Sequence, residues 1–364
     1  MIGNAQKQIR RFTGLTLAIL LFCGASALAL QEKVSPLSDY QYKKDYPRFE
    51  AITKEADLQK RADALIGFIK DRGISRLLLS AVTDYQQCVK PALDKKDWAN
   101  AISMEDALLK ILPTEEAVKA ADIPVGVDEF LKDQLMASQL LIQNTMLAAY
   151  YQSQNWLKAA DTAEKLYAMS KNKALLPALT DIYAKMQNWD KYLEYGKQIL
   201  ADTPMDQPQG YSTALQMAQV YLQKQDSNSA IDLLTKIMDV YGDKVPPNTQ
   251  EAQWNATRAF AYGVMASAPY AKKDYAKAQE LYEKVVKFDP KRDDAYYSIG
   301  MCKWQSKDPE GAIDAFAKCV ALNKPATASK AQKYLEDLYK ARHNDTLDGL
   351  DQVLAKAKAD LGVN

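Results

Sequence analysis

The sequence predicts an all-α protein, a solenoid of stacked helical hairpins, and three observations predict it. Six short stretches, KKDWANAI, SQNWLKAA, MQNWDKYL, KQDSNSAI, KKDYAKAQ and SKDPEGAI, repeat one another, each turning at an Asp or Asn and running on into a helical pattern. The turn residues Asp97, Asn155, Asn188, Asp226, Asp274 and Asp308 are separated by 58, 33, 38, 48 and 34 residues. The two shortest separations match a helix-turn-helix unit of roughly 34 residues, and the others read as that unit plus insertions. The composition, 48% apolar and 26% charged with only 14 Gly and 14 Pro in 364 residues, is that of a folded, helix-rich chain. A repeat array grows by stacking, so length does not set a domain count here.

Residues 1–29 read as a cleaved export signal: Lys7, Arg10 and Arg11, then the apolar run Leu15 to Cys23, then Ala27-Leu28-Ala29. That run is too short for a membrane span, so no integral span is expected after cleavage. Residues 30–48, with Pro36, Pro47 and several Tyr, are expected to be an extended N-terminal arm. Residues 49–81 are expected to be a degenerate N-terminal helical repeat, with Ala64, Leu65, Phe68 and Ile69 on one apolar side. The array proper spans 82–325, with insertions near 114–127 and 266–273. A long helix is expected from Asp128 to Ser153. Residues 326–364 are expected to supply C-terminal capping helices, with Leu347, Leu350, Leu354, Ala357 and Leu361 in one stripe.

The clearest unit is DDAYYSIGMCKWQSKDPEGAIDAFAKCVALNKP. Its first helix carries Tyr296, Ile299 and Gly300, and its second carries Ala312, Phe316 and Cys319, at the spacing of one helical face. Asp308-Pro309 makes the turn, because Asp bonds back to the backbone and Pro fits the first helical position. The residue order resembles the tetratricopeptide repeat: large, large, Gly, then small, aromatic, small, then Pro. Gly300 and Ala312 then fall where two helices cross closely. In the unit around Asn188, Tyr192 stands where Ala is expected and Gly196 where an aromatic is expected, a swap that conserves volume. The resemblance covers about residues 82–325 and implies a right-handed superhelical solenoid and protein-protein binding.

The same phase places Asn144, Ala148, Tyr151, Asp181, Lys185, Leu215, Gln219, Leu222, Tyr297, Met301 and Trp304 on the inner curve, as candidates to hold a partner's helix or extended segment. Relatives that grip a C-terminal carboxylate use a Lys and an Asn one turn apart. The matching places hold Asn144 and Ala148, Pro177 and Asp181, Leu215 and Gln219, and Tyr297 and Met301, which disfavours that ligand.

Chemistry is sparsely provided for. His343 is the sole histidine and no CxxC spacing occurs, so no metal site and no cofactor are expected. No nucleophile, phosphate-loop or dinucleotide motif is present, so the chain is read as not an enzyme. Residues 1–29 hold three of the 47 basic residues and no acidic one, leaving 44 against 46. Near-neutral charge argues against nucleic acid as a partner. Cys302 and Cys319 read as a buried reduced pair, with a disulfide as the alternative that an exported compartment permits. The expected function is an exported non-catalytic scaffold of the periplasm or cell envelope binding a protein or peptide. The alternative is a structural subunit of an outer-membrane or secretion assembly.

Overall fold

The computed structural model describes residues 38–121 and 126–363; the expected export signal at 1–29 lies outside the described residues. Within them the protein is an all-α helical repeat fold with no strand. Two compact units part between Tyr195 and Gly196.

The first unit holds α1 (Asp39–Thr53), α2 (Leu58–Arg72), α3 (Leu78–Asp94), α4 (Trp98–Leu109), α5 (Glu115–Ala120), α6 (Ala137–Gln152), α7 (Trp156–Ser170), α8 (Leu176–Lys185) and the first part of α9 (Trp189–Asp202). The expected extended arm is corrected by α1, which is helical from Asp39 and packs on α2. Ser38 caps it by accepting the Gln41 N–H. Tyr42, Phe49 and Ile52, at helical spacing, lie on the core around Phe68, with the Phe49 and Phe68 rings 5.9 Å apart. That burial outweighs the one bond lost at Pro47. The N-terminal pair of helices therefore begins ten residues before residue 49. On α2 the buried residues are Ala62, Leu65, Phe68 and Ile69, with Ala62 in the place expected of Ala64.

The expected insertion at 114–127 contains α5, capped by Thr114 and anchored by the buried Val118. The long helix expected over 128–153 is present as a helical run with an irregular start. A short turn, Val127–Glu129, passes into a π-helical stretch, Phe130–Met136, before α6. The π stretch buries Gln134, whose Oε1 accepts the Leu79 N–H at 3.0 Å. The first residues of α3 have no side-chain cap of their own, so a residue 55 positions later supplies one.

The second unit holds the rest of α9 with α10 (Pro208–Gln223), α11 (Ser227–Tyr241), α12 (Glu251–Ala271), α13 (Tyr275–Phe288), α14 (Asp293–Gln305), α15 (Pro309–Ala321), α16 (Pro325–Arg342) and α17 (Leu350–Leu361). The insertion expected at 266–273 is absent, because α12 runs unbroken to its turn. Pro269 lies in the last turn of α12, where its carbonyl accepts the Asp274 N–H at 2.9 Å, so it ends the helix without displacing residues. The additional residues instead lengthen the loop 242–250 and the start of α12. Gly196 leaves space that Met217 fills: a Cβ there would lie 2.7 Å from the Met217 sulfur. Gly300 likewise faces the ring of Phe316, at 2.7 Å from a would-be Cβ. Helices α16 and α17 bury Ala331, Leu335, Tyr339, Leu350 and Ala357 against α15.

All six hairpin turns share one bond pattern. The residue before each turn Asp or Asn, from Lys96 to Lys307, is left-handed, with φ between 55° and 64°. The turn residue's own N–H reaches back five positions, as from Asp97 to the Ala92 carbonyl at 2.8 Å and from Asp308 to Lys303 at 2.9 Å. Its side chain then accepts the N–H three residues on, at 2.9–3.3 Å. One residue thus ends a helix and starts the next.

Candidate functional site

Counting back from each turn residue puts the candidates in register. Four residues before the turn stand Leu93, Tyr151, Ala184, Leu222, Tyr270 and Trp304. Asp181, Gln219 and Met301 stand at seven, and Asn144, Leu215 and Tyr297 at eleven.

In the first unit the structure brings three candidates together. The Tyr151 hydroxyl donates to the Asp181 carboxylate, and Lys185 Nζ stands 4.0 Å from the same carboxylate. Burial, and then Asp181, raise the Tyr151 phenol above its ordinary range. Its ring meets Trp156 edge-on at 5.3 Å. Asn144 does not join them; its amide donates to Leu140 of its own helix at 2.8 Å.

A second polar centre lies nearby. Glu164 Oε1 accepts the hydroxyls of Tyr183 at 2.7 Å and Tyr195 at 2.8 Å, and Lys191 Nζ lies 3.3 Å away. Burial alone would raise the Glu164 carboxyl, but these donors together hold it below the usual range. The two phenols stack at 5.8 Å and tie α7, α8 and α9 together. This arrangement is a structural brace, since every group in it is spent on another.

In the second unit Leu215 and Leu222 are half-buried and Gln219 is exposed. Tyr297, Met301 and Trp304 are brought together on α14 beside α16. Tyr297 lies 5.8 Å from Phe316 and 6.1 Å from Tyr334, and Trp304 lies 5.4 Å from Tyr334. Trp304 keeps 39% of its surface exposed. Two residues of this aromatic surface were not expected. Tyr334 belongs to the segment read as a cap. Tyr270 stands 34 residues before Trp304, a signal hidden by the insertion wrongly placed at 266–273. Tyr270 meets Tyr275 edge-on at 5.8 Å, across its turn, as Tyr151 meets Trp156.

Cys302 and Cys319 are free, fully buried thiols, not a bridge; burial pushes each up to about 11, so both stay neutral. Among the described residues, no group of His, Cys, Asp and Glu could hold a metal ion, and no helix is long and apolar enough to cross a membrane.

These features define a helical-hairpin repeat protein with half-exposed aromatic side chains in register. The sequence profile of the tetratricopeptide repeat matches residues 261–292, the second half of α12 with α13, and residues 293–325, the hairpin α14–α15. Residues 261–325 are thus matched as two consecutive tetratricopeptide repeats. No curated protein matches it in sequence. Solved structures with a similar fold include MamA, at 19% identity over 50% of this chain and 94% of that one, with a TM-score of 0.36. YrrB, described as a TPR protein with an unusual peptide-binding site, aligns at 13% identity over 60% and 100%, with a TM-score of 0.38. The TPR2AB domain of yeast Sti1 in complex with pHSP90 aligns at 13% identity over 87% and 98%, with a TM-score of 0.32.

Proposed function

We propose that this chain is an exported, non-catalytic scaffold of the cell envelope that holds a protein or peptide partner on the aromatic surface of its second unit. The observation that carries this reading is the cluster of Tyr270, Tyr297, Trp304 and Tyr334 on successive first helices α12, α14 and α16. Large, stiff aromatic side chains bring much contact area at low entropic cost, which is why they dominate binding energy at protein interfaces. Trp304 is the anchor, being an exposed indole on a packed base. The basic start, apolar run and Ala27-Leu28-Ala29 pattern support export.

The test is capture of partners from the native envelope by the wild type, by Trp304→Ala and by Leu157→Ala, whose target is the most exposed large apolar residue among the described residues, at 71%, and lies in the other unit. Trp304→Ala is expected to weaken the principal partner by at least about tenfold, equivalent to about 1.4 kcal/mol, with unchanged melting. Leu157→Ala should leave it intact. Equal capture by all three would end the reading.

A further inference from the structure

A buried carboxyl in the first unit is used by none of the functions above. Glu105 on α4 is 0% exposed, at a position where the repeat pattern calls for an apolar side chain. It sits where α4 meets α3 and α6. Gln86 on α3 donates its amide to Glu105 Oε2 at 3.1 Å and accepts the Thr145 hydroxyl of α6 at 2.9 Å. The other carboxyl oxygen, Oε1, is buried without a partner.

The surroundings hold no countercharge for it. From α3 the titratable neighbours are Tyr85, whose hydroxyl donates to the Met104 carbonyl at 3.2 Å, and the buried thiol of Cys88. From α6 the neighbour is Thr145, while the charges acting on Tyr150 are Asp106, Asp161 and Lys165. Arg61 of α2 is already paired with Asp84. An ionised carboxylate served by so few neutral donors, in a seam closed to water, is strongly disfavoured, whereas a neutral carboxyl there costs little.

We propose that Glu105 is a proton-operated latch: protonated, it lets α3, α4 and α6 close on one another, and ionised, it loosens that seam. Gln86 makes the latch consequential, because it stands eleven residues before its turn, the register of Asn144 and Tyr297. Burial pushes the Glu105 carboxyl up to about 8, with the bonds to Gln86 and Thr145 acting in the opposite sense. The folded value is raised, so folding takes up a proton between the unfolded carboxyl range, about 4.3, and about 8. The stabilisation is complete below that window and is lost as pH rises through it. The proposal stands independently of any partner.

The experiment compares the full chain with Glu105→Gln, which keeps shape and hydrogen bonding but cannot ionise. Denaturant unfolding and hydrogen exchange of the α4 and α6 amides are followed at about pH 5, 7 and 9, the two proteins always at matched pH. The variant's advantage in unfolding equilibrium is expected to open by up to tenfold per pH unit across the window. Exchange protection of α4 and α6 should fall selectively in the wild type at the highest pH. A difference between the proteins that is the same at all three values overturns the latch. Should the variant fail to fold, the infrared spectrum of the wild type decides: a carboxylic acid band persisting at neutral pH and converting to carboxylate above about 8 supports it. Its absence at neutral pH overturns it.

Discussion

At the scale of single residues, two glycines in helix interiors have opposite meanings. A Cβ on Gly300 would lie 2.7–2.9 Å from three ring atoms of Phe316, which is fully buried and cannot move aside. A Cβ on Gly67 of α2 would meet nothing within 4 Å. Alanine gains about 1 kcal/mol of helix propensity at either site. At Gly67 that gain stands alone, so Gly67→Ala is expected to stabilise by about that amount. At Gly300 overpacking of about 1–3 kcal/mol opposes it. A rigid, deeply overlapped ring puts the cost at the high end, so Gly300→Ala should destabilise. Paired denaturant titrations check the signs, and two shifts in the same direction would refute the argument. The small residue at 300 was readable from the repeat, since a close helix crossing demands it. Glu105 was visible only as a departure from the pattern, because its role depends on Gln86 and Thr145, which arrive from other helices.

At the scale of elements, the π-helical stretch before α6 explains how α3 begins. Because Gln134 stands in for a missing cap, Gln134→Leu removes the acceptor of the Leu79 N–H while keeping the volume. The expected loss is about 0.5–2 kcal/mol, with faster hydrogen exchange confined to the first turn of α3. Unchanged exchange there would show that the bond is dispensable. Nothing in the local sequence announces this device, since donor and acceptor are 55 residues apart. The errors at α1 and α12 share a physical cause. Pro47 falls in the segment expected to be extended and Pro269 in the expected insertion, yet one missing bond is outweighed by the apolar contacts of Tyr42 and Phe49 in one case. In the other, Pro269 falls in a last turn, where Tyr270 packs on Tyr275 and Tyr282.

At the scale of the whole molecule, six copies of one joint recur through both units. Asp97→Ala in the first and Asp308→Ala in the second each remove a cap and should each cost about 1 kcal/mol. They share no partner, so their effects should add in the double variant, within about 0.5 kcal/mol; a marked shortfall in denaturant titration would contradict independence. The joints were the most legible part of the sequence, because every bond in them joins residues at most five positions apart. The aromatic surface was less so, because it needs the correct register on α12 and the arrival of Tyr334 from α16. The joints also bear on how the protein is made. Structure that closes between near neighbours needs no long search, and chains rich in such short-range closures fold quickly. Each joint can therefore close as soon as its own residues emerge during synthesis, while the apolar cover of its two helices waits for the next hairpin.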